Sequence, residues 1–398
     1  MILKEDKKPA SPAGGHSKHT ALIRPQLGNF GRNEWAILGA PCGAIKVLAA
    51  TIITALAATA KIAYVDAEHS DEPEAVSQRI AAGATLEYTE KAGETQLNYK
   101  GAFHNFHNRA LFNNSDMILI NGNHHQGKKQ VVIIDCRKKA SLQKRAEQLT
   151  DVCLFLLAEG ETDLFDFVKE AVPNWQSIPV YRLNEVDSII QFFENEITQS
   201  KPELYSLVLA GGKSARMGQD KGAINWHGKD QRYYMADLLK NYTNKVYISC
   251  RADQQQEIDA AYQTLPDTFT GMGPFGAILS AFREQPEKAW LVVACDLPLL
   301  DQETLDFLIA HRDTSNIATA FQSSYNDFPE PLITIWEPKS YPVLLSFLSQ
   351  GYSCPRKVLI NSDVEILQAP HPGALTNVNT PEDRERAEQI LHKKSITA

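Results

Sequence analysis

Short, strongly apolar runs alternate along this chain with longer stretches of helical periodicity. Trp35–Leu38, Ile62–Asp66, Met117–Ile120, Val131–Ile134, Val152–Leu157 and Pro179–Leu183 read as strands of the kind buried on both faces. Between them, Ala44–Ala60, Glu72–Ala82, Ser141–Leu149 and Val186–Ile197 carry the helical pattern, with Ser141 as a cap. Thr85–Phe103 alternates weakly and reads as a hairpin or an irregular insertion. Apolar strands spaced by helices predict a mostly parallel sheet covered on both faces, a three-layer α/β unit.

Thr198-Gln199-Ser200-Lys201-Pro202 is polar and ends in proline, which marks a domain boundary. Beyond it the alternation restarts. Strands are expected at Tyr205–Leu209, Lys245–Cys250 and Ala289–Ala294, and helices at Tyr233–Lys240, Phe275–Arg283, Gln302–His311 and Pro381–Leu391. The expected organisation is a mobile arm over residues 1–30, a first α/β domain over 31–200 and a second over 203–398. The arm is rich in Lys, Pro, Gly, Ser and His; its His16 and His19 are either metal ligands or simply solvated.

Composition narrows the function classes. A length of 398 residues with 43% apolar and 22% charged residues suits two ordinary globular domains. The net charge of −8 and a pI of about 5.8 argue against a broad surface for nucleic acid or anionic membrane. A local basic pocket for phosphates remains compatible with them. Apolar runs stay below the roughly 18 residues a membrane span needs, and the N-terminus lacks an apolar signal core, so a cytoplasmic location is expected. The six cysteines form no CxxC pair, and Cys42, Cys136, Cys153 and Cys295 sit in or beside apolar runs. Buried, reduced thiols are expected.

The chemistry concentrates after the strand ending at Leu209. Ala210-Gly211-Gly212-Lys213-Ser214-Ala215-Arg216-Met217-Gly218-Gln219-Asp220-Lys221 begins with glycines directly behind a buried strand. Such glycines let the backbone approach a ligand, and consecutive amides can surround phosphate oxygens. Arg216 can grip oxygens in a planar fork, while Lys221 acts as a point charge. A glycine turn with solvated basic residues is the plainer alternative.

With these residues the segment resembles the signature of nucleotidyltransferases that transfer a nucleoside monophosphate from a triphosphate. It is most similar to the molybdenum cofactor guanylyltransferases, where the Arg-Met-Gly-x-Asp-Lys-Gly of residues 216–222 recurs. Sugar-phosphate and isoprenoid cytidylyltransferases share its first half. Pro266-Asp267 followed by Gly271-Met272-Gly273-Pro274-Phe275-Gly276 resembles that family's Asp and Gly-Pro-x-x-Gly segment, and Cys295-Asp296-Leu297-Pro298 its Cys-Asp-x-Pro metal motif. A carboxylate ending a buried strand is a hard oxygen ligand suited to Mg²⁺, or else a helix cap.

The resemblance implies a Rossmann-like transferase domain with GTP and molybdopterin as substrates and Mg²⁺ as cofactor. Nucleotide contacts would come from Leu209, Ala210, Gly211, Gly212, Ser214, Arg216, Lys221, Arg251, Asp267 and Asp296. Lys221, Arg216 and Asp296 would be the catalytic groups, and Asp296 with Asn379 the metal ligands. Asn379 would meet the second metal face or the product; equally, Thr380-Pro381 starts a helix. Arg251 stands where the family tends to carry Asn. Phe328–Leu332 and Ser353–Arg356 resemble the wider superfamily's acceptor region. Transfer to a different acceptor, a cytidylyl donor, or a non-catalytic cofactor carrier are the competing readings.

The first domain carries a second glycine turn, Gly39-Ala40-Pro41-Cys42-Gly43-Ala44-Ile45-Lys46, between a strand and a helix. A P-loop would need Gly, Lys and Ser or Thr at positions 44, 45 and 46. Lys46 is one place late, about 100° around the helix, and no hydroxyl follows it. A degenerate P-loop fold without nucleotide hydrolysis is expected. The layout of residues 34–197 resembles the P-loop adaptor that partners the guanylyltransferase, which implies handling of the cofactor or of recipient molybdoenzymes near the transferase site. Asp66 and Asp135 end strands as in such folds or cap turns. Asn121-Gly122-Asn123-His124-His125 is a turn or a cofactor-handling loop.

Overall fold

The computed structural model describes residues 23–67, 77–211 and 221–397. In chain order the first half contains β1 (Glu34–Leu38), α1 (Cys42–Leu56), β2 (Ile62–Val65), α2 (Gln78–Ala81), β3 (Leu86–Lys91), β4 (Glu94–Tyr99) and α3 (Asn105–Leu111). It continues with β5 (Met117–Asn121), β6 (Lys129–Ile134), α4 (Lys139–Gln143), β7 (Val152–Leu157), α5 (Asp166–Ala171), β8 (Val180–Arg182) and α6 (Val186–Gln199). The second half holds β9 (Leu204–Leu209), α7 (Gln231–Leu239), β10 (Val246–Cys250), β11 (Gln263–Pro266), α8 (Pro274–Glu284) and β12 (Ala289–Ala294). It ends with α9 (Gln302–Ala310), β13 (Ala318–Gln322), β14 (Pro329–Trp336), α10 (Ser340–Ser349), α11 (Pro355–Ile360), β15 (Val364–Leu367) and α12 (Pro381–Thr397).

The first sheet has the order β2-β5-β1-β6-β7-β8, with every pairing parallel. Strand β1 lies between β5 and β6 and leads through Gly39 into α1, a P-loop-like layout. Period-2 alternation divides β1 between two cores. Trp35 and Ile37 pack with Ile45, Ile52 and Phe193 of α1 and α6, while Leu38 packs with Leu142 and Val168 of α4 and α5. The weakly alternating insertion is a separate hairpin of β3 and β4.

The second sheet has the order β11-β10-β9-β12-β14-β13-β15. Only β14 runs antiparallel to its neighbours. Helices α7 and α9 cover one face through Met235, Leu239, Leu305 and Leu308. Helices α8, α10 and α11 cover the other through Phe275, Phe282, Leu344 and Val358. The two expected α/β sandwiches are therefore present, the second with a mixed sheet.

Three local expectations need correction. Ser141 lies inside α4 rather than at its cap, and its Oγ accepts from Arg145 Nη2 at 3.2 Å. Residues 28–30 are held against the first domain, because Arg109 Nε donates to the Gly28 carbonyl at 2.8 Å, the Asn29 and Phe30 amides donate to the Glu34 carboxylate at 2.9 and 2.8 Å, and Phe30 is buried. Cys136 is exposed, since the chain leaves the sheet at Asp135. His16, His19 and residues 72–76 of the expected helix lie outside the described residues.

The two sheets meet through the ends at which their parallel strands begin. Asp116, just before β5, accepts from Lys339 Nζ at 2.7 Å, Ser315 Oγ at 2.6 Å and the Lys61 amide at 2.8 Å. Lys61, before β2, reaches Asp363 before β15, and Arg32, before β1, pairs with Glu287 before β12. Residues 198–202 are no loose tether, for α6 runs through Gln199 and Arg312 Nη2 donates to the Pro202 carbonyl. A cavity of about 720 Å³ follows this seam, lined by Arg32, Arg109, Asp116 and Lys339 among its residues.

The two glycine turns follow β1 and β9, whereas the residues at this seam precede their strands.

Candidate functional site

Leu209 ends β9 in register with Ser249 of β10 and Ala294 of β12. Backbone bonds continue past the strands: Ala210 N donates to Ser249 O, Cys295 N to Leu209 O, and Asp267 N to Cys250 O. Gly211, Arg251, Asp267 and Asp296 thus line one edge of the sheet. Parallel strands leave carbonyls and loops at this edge, where ligands of open α/β sheets bind.

Gly211 adjoins Asp267 closely, since a β-carbon on it would lie 3.2 Å from Asp267 Oδ2. Asp267 Oδ1 accepts from Ser249 Oγ at 2.8 Å. Burial pushes the Asp267 carboxyl above the ordinary range, against the pull of Ser249 and Arg251. Arg251 donates through Nη1 to the Gly211 carbonyl at 3.1 Å and pairs with Asp253. Its guanidinium therefore braces the glycine turn, a role the sequence did not distinguish from direct nucleotide contact.

The opening of α8 lies beside Asp267. Gly273 caps it at φ +56°, and a β-carbon on Gly276 would lie 2.1 Å from the Phe269 carbonyl, so only glycine fits there. Gly212, Ser214 and Arg216 lie outside the described residues, and Lys221 opens a short turn, Lys221–Ala223, of which its backbone is described.

Asp296 follows the fully buried β12. Its carbonyl accepts from Val378 N at 2.9 Å, which ties the Asn377-Val378-Asn379 segment to it. Asn379 is exposed, whereas Asn377 Oδ1 is buried with no hydrogen-bond partner among the described residues. The sequence singled out Asn379; the buried oxygen belongs to Asn377. Thr380 acts as the helix cap, since the Asp383 amide donates to its Oγ1 and the Asn379 and Thr380 amides donate to the Asp383 carboxylate. His227, which the sequence did not single out, braces the loop after Asp296 through Nε2 and the Pro298 carbonyl at 3.0 Å. It stacks on Tyr234, and burial lowers its pKa.

Among the described residues no group of three or more His, Cys, Asp or Glu could hold a metal ion. Asp296, Asn377 and Asn379 each carry a hard side-chain oxygen, the ligand type that suits Mg²⁺. The two acceptor-like segments come together at the same edge, with Arg356 Nη2 donating to Glu330 Oε2 at 3.0 Å.

The first domain's turn has different contents. Gly39 adopts φ +93°, and a β-carbon would lie 2.2 Å from the Ile133 carbonyl. Lys46 points outward, half exposed, with Nζ 3.8 Å from Asp66 Oδ2. Asp135 caps the turn at Cys136–Lys138. Residues 121–125 form a turn in which the His124 and His125 amides donate to the Asn121 carbonyl.

The MobA-like NTP transferase domain family matches residues 206–365. A "Probable molybdenum cofactor guanylyltransferase" of Nostoc is 32% identical over 183 residues, covering 45% of this chain and 88% of that protein. The chain belongs to the molybdenum cofactor guanylyltransferase family. A "Molybdenum cofactor biosynthesis bifunctional protein" of Synechocystis is 35% identical over 185 residues, 46% of this chain, and the match spans only 53% of that relative. A solved molybdopterin-guanine dinucleotide biosynthesis protein A from Archaeoglobus fulgidus matches at 22% identity and a TM-score of 0.42, over 48% of this chain and 99% of its own. The guanylyltransferase membership carries nucleotidyltransferase activity with it. No helix among the described residues is long and apolar enough to cross a membrane.

Proposed function

We propose that the second domain transfers GMP from GTP to the terminal phosphate of molybdopterin, with or without bound molybdenum, and releases pyrophosphate. The supporting observation is the shared edge that gathers Gly211, Arg251, Asp267 and Asp296. The amides of Gly211 and Gly212 and the Ser214 hydroxyl would hold the triphosphate, with Arg216 and Lys221 neutralising it. Asp267 would accept from ribose hydroxyls or from the N–H edge of guanine. Asp296 would hold Mg²⁺ with the asparagine oxygens of Asn377 or Asn379, and the ion would supply charge neutralisation at the phosphates.

A phosphate monoester has a second pKa of about 6, so the acceptor is already largely ionised near neutrality. Its oxygen attacks the α-phosphorus of GTP, the bond to the bridging oxygen breaks, and pyrophosphate leaves. No protein nucleophile or strong base is needed; alignment and electrostatics suffice. The first domain would serve recipient molybdoenzymes rather than the reaction centre.

Pyrophosphate release by the full chain, with each of the four triphosphates and with or without molybdopterin, tests this reading. GTP with molybdopterin should be the productive pair. Turnover with CTP instead would favour a cytidylyl transferase.

A further inference from the structure

The turn that replaces the P-loop in the first domain gathers a chemical cluster that GMP transfer does not use. Cys42 opens α1, a helix of 15 residues with no acidic residue in its first turn. The helix terminus favours negative charge there. Cys42 Sγ lies 3.3 Å from His124 Nε2, and Asn123 Nδ2 approaches it at 3.5 Å. A thiol and an imidazole within hydrogen-bond reach are a nucleophile and its base.

The surroundings reinforce this pair. The Arg145 guanidinium is held behind it by the Gly122 carbonyl and Asn123 Oδ1, both at 3.0 Å. Burial lowers the Arg145 pKa, and the nearby Cys42 opposes that shift. Asp66 stands opposite, with Oδ1 3.8 Å from His124 Nε2, Oδ2 3.8 Å from Lys46 Nζ, and a bond from Tyr64 Oη at 2.8 Å. The charged and titratable groups around this pair among the described residues include Arg145, Asp66, Tyr64 and His125, with Lys46 turned outward onto Asp66. A partly exposed thiol beside cationic groups and a helix N-terminus is the environment of reactive cysteines.

The other cysteines differ. Burial pushes the Cys153 thiol up to about 12 and the Cys250 thiol up to about 11. Cys295 is buried, and Cys136 and Cys354 are exposed.

We propose that Cys42 is a thiol-exchange site that takes low-molecular-weight disulfides, with His124 as its base. His124 accepts the Cys42 proton, and Sγ attacks one sulfur of the disulfide. The sulfur–sulfur bond breaks, a mixed disulfide forms at Cys42, and the departing thiolate takes the proton back from His124. The disulfide is the oxidant, and a reducing thiol reverses the step.

The test is reaction of the full chain with limiting dithiobis-nitrobenzoate, followed by peptide mass mapping. Near pH 6.5, about the ordinary pKa of histidine, Cys42 should react at least about tenfold faster than Cys136 or Cys354. His124→Gln should remove about tenfold of that rate there, and much less near pH 9, where ordinary thiols ionise unaided. Protection of Cys250 and Cys295 reports that each variant is folded, and His124→Asn provides a second replacement. Equal rates at Cys42, Cys136 and Cys354 in the unaltered chain would overturn the proposal by themselves. So would a His124→Gln rate unchanged across pH.

Discussion

Two glycine turns leave two central parallel strands in this molecule, and they have opposite chemistry. The turn after β9 is backed by carboxylates at Asp267 and Asp296 and braced by Arg251. The turn after β1 has a lysine turned outward and a Cys–His pair where a phosphate-binding turn would present Lys and a hydroxyl. Strand placement alone creates a site-like edge in both halves. Side chains decide what that edge can bind.

The sharpest way to break this comparison is to remove the charge at the second turn. Asp296→Asn keeps the shape and should lower GMP transfer by about 10² or more, the scale of losing one electrostatic stabiliser. Steady-state kinetics with circular dichroism would show this; near-normal turnover would make Asp296 a structural residue.

The seam is the next target. Asp116 and Lys339 are about 10% and 11% exposed by side chain, and breaking such a pair leaves a buried charge uncompensated. Asp116→Asn should cost about 2 kcal/mol of stability, less than the full loss of such a pair because the amide keeps some hydrogen bonds. Urea unfolding should show a lowered midpoint, with the halves separating into two transitions. An unchanged midpoint would mean that other contacts hold the domains.

A smaller effect should appear in acid. Burial holds the His227 pKa below its ordinary value, so the folded chain keeps it neutral. As pH falls below about 6.5, the unfolded chain binds a proton that the folded chain refuses until its lower pKa is reached. Stability contributed at His227 is present above that ordinary value and is lost across this window. His227→Gln should flatten this limb in unfolding measurements from pH 7 to 5; an identical slope would remove His227 from the account.

Much of this was legible because buried parallel strands are short continuous apolar runs. β1, β5, β6, β9 and β12 announce themselves, and the residues that follow β9 and β12 place Gly211 and Asp296. Strands β13 and β14 were not legible, since β14 carries Pro329 and Pro331, residues that usually argue against an interior strand. The short helices α3 and α5 have too few turns for a period to show. Asp116 gave no local signal, because its partners Ser315 and Lys339 are 199 and 223 residues away. Arg251 was visible as a residue, but its bond to the Gly211 carbonyl depends on the pairing of β9 with β10. The pairing of Cys42 with His124 likewise needs β1 and β5 side by side.

One working nucleotide site is expected in this molecule despite its two such turns. Equilibrium GTP binding to the full chain by calorimetry tests it most directly, alongside the Lys46→Ala and Lys221→Ala chains. The expected result is a stoichiometry of about one, an affinity unchanged by Lys46→Ala, and a loss of about tenfold or more with Lys221→Ala. Two sites, or GTP hydrolysis that Lys46→Ala abolishes, would make the first turn a working P-loop and contradict it.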